Sequence, residues 1–207
     1  MTVRPQLSLE PVHSSDIPTV ADLDVAAFET DIVAVHINPR GTTTQARLAN
    51  VKYRHGQMLA DSEKRGLKFF KVVRQDTGEI AAYGIWGYHA PQKDPNEPAD
   101  DCDEEFLAAF EKALGTTQQQ FVGDRPHWYL KLICTHPKHQ GLGAASPIIR
   151  WGLKQADEQG LPAYLEASPM AQPIYEKFGF RVVGQAVVND AVSVPVMVRE
   201  PQPSKSP

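Results

Sequence analysis

The turn Gln140-Gly141-Leu142-Gly143-Ala144-Ala145 lies between an apolar run, Trp128 to Thr135, and an amphipathic run that reaches Gln159. The first run reads as a β-strand and the second as a helix from about Gly143 to Gln159. A strand that passes through glycines straight into a helix constrains the fold more than any other stretch, because such a unit belongs to a sheet covered by helices. It also builds an anion cradle. The free main-chain N–H groups at a helix start and its positive dipole end favour phosphate, and glycine lets a ligand approach the backbone closely.

The rest of the chain extends this pattern. Leu7 to Val12 alternates weakly and reads as a first strand, followed by a helix-start cluster, Ser14-Ser15-Asp16, and by Val20, Leu23, Ala26 and Ala27 at helical spacing. A second helix is expected from Thr43 to about Arg65. Leu67 to Arg74 and Ile80 to His89 read as an antiparallel hairpin across Gln75-Asp76-Thr77-Gly78-Glu79, whose Asp and Gly suit the turn. Trp86 and Tyr88 share one face of the second strand and Tyr83 takes the other. Core packing accounts for them better than an acceptor pocket does. Ala90 to Glu105 is rich in proline and acid and reads as an exposed insertion before a short helix bearing Phe106, Leu107, Phe110 and Leu114. The insertion's carboxylates could attract a cationic amine, but charge runs are usually solvated faces. Beyond the glycine turn come a strand, Ala163 to Ala167, a short helix near Pro173 to Phe178 and a strand from Phe180. These alternations indicate an α/β or α+β sheet with helices on both faces. Residues 1–200 are expected to form one domain, and 201–207, with no core-forming residue, a disordered tail.

Composition narrows the function classes. A formal charge of −4 and a pI near 6.0 offer no global attraction to nucleic acid or to anionic membranes. Two separated cysteines, Cys102 and Cys134, make no disulfide framework and fit a reducing compartment. No apolar stretch reaches the ~20 residues of a membrane helix, and the N-terminus lacks a signal-peptide core, so a cytoplasmic protein is the expectation. Cys134, His136 and His139 straddle a strand end and a turn without a fourth ligand at a familiar spacing, so no metal site is expected. The turn lacks the G-K-[ST] ending of a nucleoside-triphosphate loop, and no G-x-S-x-G elbow is present.

Three stretches resemble one family. Leu130-Lys131-Leu132-Ile133-Cys134-Thr135-His136-Pro137-Lys138-His139-Gln140-Gly141-Leu142-Gly143-Ala144-Ala145 is similar to the fourth strand and acyl-CoA pyrophosphate loop of the GNAT acetyltransferases. Gln140, Gly143 and Ala145 fill the Q/R-x-x-G-x-G/A pattern. Ala163-Tyr164-Leu165-Glu166-Ala167-Ser168 is similar to the fifth strand, and Ile174-Tyr175-Glu176-Lys177-Phe178-Gly179-Phe180 to the Y-x-x-x-G-F signature. The resemblance covers about Trp128 to Gly184. It implies a mixed, mostly antiparallel central sheet of about 6–7 strands with helices on both faces, splayed between strands 4 and 5.

The resemblance also implies a chemistry. Acetyl-CoA would set its phosphates on Gln140, Gly141, Leu142, Gly143, Ala144 and Ala145. Its pantetheine arm would pair with backbone groups of Ile133, Cys134 and Thr135. The acyl group would pass to a primary amine of a small molecule or peptide by direct attack. Tyr175 would protonate the departing thiolate. Its structural alternative is a helix tyrosine packed on the sheet. An ammonium with a pKa near ~10 must lose a proton before it attacks. Many relatives carry a glutamate or histidine for this on the fourth strand, where this chain has Tyr129 and then Lys131. Glu166 on the neighbouring strand is the better candidate base, against a structural pairing role. The alternatives left open are a non-catalytic acyl-CoA-binding module of the same fold, and an acyltransferase using another acyl-CoA or acceptor. A homodimer is compatible with either.

Overall fold

The computed structural model describes residues 5–37, 43–88 and 103–203. Strands β1 (Leu7–Pro11), β2 (Leu67–Arg74), β3 (Ile80–Tyr88), β4 (Trp128–Thr135), β5 (Ala163–Glu166), β6 (Arg181–Val187) and β7 (Ser193–Arg199) form one sheet in the order β1-β2-β3-β4-β5-β7-β6. Neighbours run antiparallel except β4 and β5, which are parallel. A parallel pair needs a crossover, and α5 (Ser146–Gln159) supplies it. The expected mixed sheet is therefore present, with its parallel step at the glycine turn.

Helices α1 (Ile17–Ala27), α2 (Ile32–Ile37), α3 (Thr44–Ala60) and α4 (Glu104–Phe121) complete the chain with α5 and α6 (Gln172–Glu176). Local chemistry sets their ends. Thr43 caps α3 by accepting from the Ala46 N–H at 3.1 Å, and Asp103 caps α4 by accepting from Phe106 at 2.9 Å. Gly160, at φ 66°, ends α5 in the left-handed conformation. The expected helix from Thr43 to Arg65 is shorter, and Ser14–Asp16 forms a single 3-10 turn ahead of α1. Helix α2 and the division of the last strand into β6 and β7 were not anticipated. Residues 90–102 of the expected insertion lie outside the described residues, as do His89 of the expected second hairpin strand and 204–207 of the expected tail. The Gln202 N–H donates to Asp157 at 2.7 Å.

Helices lie on both sheet faces. On one, Trp86, Trp128 and Leu130 pack against Ile148, Ile149 and Leu153 of α5. On the other, Val20 and Leu23 of α1 and Met58 of α3 cover Phe69, Tyr83, Ile85 and Cys134. Tyr164, Val196 and Val198 extend that second face beneath Leu114 and Phe121 of α4. Each fully buried Leu or Ile contributes about 1.5–3 kcal/mol. Helix α5 approaches β3 closely because Gly152 has no side chain: a Cβ there would overlap the six-membered ring of Trp86. The Trp86 indole N–H donates to the Ile148 carbonyl at 2.9 Å, fixing the helix that carries the glycine turn. Trp86 is thus a core residue, as expected.

Candidate active site

The sheet opens where β4 meets β5. The two strands pair only at Trp128↔Ala163 and Tyr129↔Tyr164, while β4 stays paired with β3 out to Thr135. One edge of β4 is therefore free of β5 beyond Tyr129, including Ile133, Cys134 and Thr135. A bulge accompanies the split. Leu132 and Leu130 face consecutive residues of β3, Ile85 and Trp86, so the register steps over Lys131 as an extra residue. A bulge bends its strand and reverses the facing of every later side chain. Trp128 and Leu130 lie on the α5 face, yet Leu132 and Cys134 lie on the α1 face and Ile133 on the α5 face.

The glycine turn stands at the end of this opening. Gly141 and Gly143 have φ of 76° and 79°, a region costly for side-chain-bearing residues, and they delay the helix until Ser146 rather than Gly143. Among the described residues, the N–H groups of Gly141, Leu142, Gly143, Ala144 and Ala145 have no hydrogen-bond acceptor, whereas Ser146 donates to the Gly143 carbonyl. The helix start carries no side-chain cap. An unsatisfied row of donors at the positive end of a 14-residue helix suits a pyrophosphate.

Glu166 ends β5 on the face shared with Tyr164 and Tyr129. Its carboxylate accepts from the Tyr129 hydroxyl at 2.8 Å and the Tyr164 hydroxyl at 2.7 Å. Burial raises its pKa; the two phenols and the Lys131 ammonium oppose that, and the net displacement is upward. Tyr164 is fully buried, and burial with the adjacent Glu166 charge holds its phenol protonated. The Lys131 ammonium stands 5.9 Å from the centre of the Tyr129 ring. The structure thus brings Tyr129 into contact with the expected base. Tyr164 and Tyr129 were missed as site residues, although Tyr164 and Glu166, two apart on one strand, necessarily share a face.

Tyr175 lies on α6, buried against Phe180 with ring centres 6.0 Å apart. Burial raises its phenol pKa strongly, with Cys134 of β4 adding to the effect, so the hydroxyl keeps its proton at neutral pH. That hydroxyl has no hydrogen-bond partner among the described residues. Burial likewise holds the Cys134 thiol protonated, which argues against a nucleophile. His136 and His139 belong to a different cleft, lined also by Asp16, Lys71 and Glu79. In it Lys71 meets Asp16 at 2.8 Å, and His139 lies 3.6 Å from Glu79. Among the described residues no His, Cys, Asp and Glu group could hold a metal ion, and no helix is long and apolar enough to cross a membrane.

A family model described as an acetyltransferase (GNAT) domain matches residues 88–200. The chain belongs to the GNAT acetyltransferases. It is 35% identical over 104 residues to an uncharacterised N-acetyltransferase of Schizosaccharomyces pombe, a match spanning 47% of this chain and 42% of that protein. Among solved structures, it resembles a protein of Corynebacterium glutamicum described as histone acetyltransferase HPA2 and related acetyltransferase, with TM-score 0.68 and 20% identity over 97% of this chain and 99% of that one. It also resembles the PaiA N-acetyltransferase of Thermoplasma acidophilum solved with coenzyme A, with TM-score 0.58 and 9% identity over 94% and 99% of the two chains. At such identities these structures establish a shared GNAT fold. They leave the acceptor of this GNAT chain to be argued from its own residues.

Proposed function

We propose that this chain transfers an acetyl group from acetyl-CoA to a primary amine of a small molecule or peptide by direct attack, without a covalent enzyme intermediate. The observation that carries the reading is the split between β4 and β5: the unsatisfied N–H row of the turn follows the freed strand, Glu166 ends β5 where the pairing stops, and the Tyr175 phenol on α6 is near enough to Cys134 of β4 for the two to interact electrostatically. The residues fit the donor. Gly141 and Gly143 shape the turn, the N–H groups of Gly141 to Ala145 hold the pyrophosphate, and the free edge of β4 at Ile133, Cys134 and Thr135 receives an extended arm.

When bound, acetyl-CoA supplies an acyl carbon already activated as a thioester. Glu166 takes a proton from the acceptor ammonium, leaving a lone pair free to attack. A carboxyl displaced upward while still ionised is a better base than an exposed one. Tyr175, protonated at neutral pH, would give its proton to the sulfur as the C–S bond breaks and the C–N bond forms, and the second proton shed by the nitrogen as it becomes an amide would pass through solvent to restore the phenol. Holding both partners in the split supplies much of the acceleration.

A panel of amines with acetyl-CoA, followed by thiol release and product mass, tests the reading. Tyr175→Phe should lower kcat by about 10²-fold with coenzyme A affinity unchanged. Gly143→Asp sets a like charge and a strained φ against the pyrophosphate and should abolish coenzyme A binding by calorimetry; retained affinity would misplace the site. Tight binding with no release for any amine would point to a non-catalytic module.

A further inference from the structure

Glu166 is held more firmly than a base needs to be. Each of its oxygens accepts a phenol, one from β4 and one from β5, at 2.8 and 2.7 Å. The Tyr129 bond bridges the strands just where their backbone pairing ends at Tyr129↔Tyr164, and the Tyr164 bond clasps the carboxylate from within β5. The phenols are themselves fixed. Tyr164 is fully buried, its hydroxyl 3.4 Å from that of Thr117 on α4, and its ring meets Tyr129 edge-on at 5.6 Å and His127 at 6.0 Å. His127 is anchored in turn: its Nδ1–H donates to the Arg125 carbonyl at 2.8 Å, and its Nε2 accepts from Gln118 at 3.1 Å. The groups facing the carboxylate are thus Tyr129 and Lys131 of β4, Tyr164 of β5 and, behind Tyr164, Thr117 of α4 and His127. An ionised carboxylate has about four acceptor positions, so two phenols leave room for an ammonium.

We propose that Tyr129 and Tyr164 are positioning residues, which lock Glu166 in one rotamer across the split and hold it as a carboxylate ready to receive the acceptor's proton. The inference rests on the reading of Glu166 as the base. Its physical basis is that a hydrogen bond donated to a carboxylate favours the charged form, opposing the burial that favours the neutral acid. A phenylalanine at 129 or 164 keeps the ring and removes only the donor.

The test measures the Glu166 carboxyl titration in the protein alone, by carbon NMR with labelled glutamate, the signal being identified by its loss in Glu166→Gln. Tyr129→Phe and Tyr164→Phe should each raise the midpoint by about one pH unit, and the double variant by more. The acid limb of kcat/KM should move upward by the same amount, with KM for acetyl-CoA unchanged. A purely structural role would lower kcat at every pH and leave the limb in place. If Tyr164→Phe fails to fold, Tyr129→Phe, at a half-buried position, carries the measurement. An unmoved midpoint in Tyr129→Phe overturns the inference. Full activity in Glu166→Gln would instead overturn the base assignment, so the two failures are distinguishable.

Discussion

Replacing Gly152 by alanine tests whether the close approach of α5 to β3 sets the position of the glycine turn. Two effects oppose each other. In an exposed helix interior, glycine to alanine stabilises by about 1 kcal/mol. At Gly152 the new Cβ would overlap the ring of Trp86, which is fully buried. Overpacking of this kind costs about 1–3 kcal/mol, and drawing the helix away also stretches the Trp86 to Ile148 hydrogen bond, worth about 1 kcal/mol. The steric cost wins, giving a net loss of about 2 kcal/mol. Gly115, exposed on α4 with no neighbouring atom within 4 Å of where an alanine Cβ would stand, is the control and should gain about 1 kcal/mol.

Urea unfolding followed by circular dichroism measures both, as midpoint shifts at constant slope. The two variants should differ by about 3 kcal/mol, with Gly152→Ala melting about 4–8 °C below the wild type. Because α5 carries the turn, the same change should raise KM for acetyl-CoA. Equal stability of Gly152→Ala and Gly115→Ala would refute the claim that the Trp86 contact fixes the helix.

Two charged groups predict opposite responses to pH. Asp157 accepts from Arg199 at 2.7 and 2.9 Å and from the Gln202 N–H; burial raises its pKa, but these donors outweigh it and hold it below the usual carboxylate range. Its contribution is present above about pH 4 and lost as pH falls through the folded value. Asp157→Asn should therefore cost about 2 kcal/mol in urea melts at pH 7 and almost nothing near pH 2. Asp24 behaves in reverse. Burial pushes its carboxyl up to about 6, Arg54 and Arg47 only partly opposing, and the His55 imidazole at 3.7 Å is too far for a hydrogen bond. Its favourable contribution is complete below about pH 4 and lost as pH rises through about 6, a fall on the order of 3 kcal/mol. Asp24→Asn should be more stable than the wild type at pH 7.5 and indistinguishable from it at pH 4; equal stability at both would remove Asp24 as the cause.

The parts of the fold legible in the sequence were those set by local chemistry. The glycine turn, strand Ala163 to Glu166 and the Tyr175 helix follow from residue types at short spacing, and the hairpin of β2 and β3 from its Asp-Thr-Gly loop. Helix α5 starts three residues later than expected because Gly143, at φ 79°, holds the chain outside the helical region. What was not legible depends on pairing between distant segments. The bulge at Lys131 leaves no mark in Leu130-Lys131-Leu132, whose alternation reads as regular strand. Without it, Leu132 and Cys134 would lie on the α5 face.

Tyr129 stands where many relatives place a base, and strand pairing gives its phenol a carboxylate to meet. Parallel pairing sets Tyr129 beside Tyr164, and period-two alternation then puts Glu166 on their common face. The phenol at 129 therefore reaches a carboxylate supplied by the next strand instead of carrying one itself. Beyond that contact the extra residue turns β4, and its edge is left unpaired toward β5. On the proposed reading of Glu166 as the base, a carboxylate at the point of divergence would lie on the wall of the opening, whereas the same residue further back along a fully paired sheet would be sealed from any acceptor. The position of Glu166 at the last residue of β5 thus matters as much as its charge.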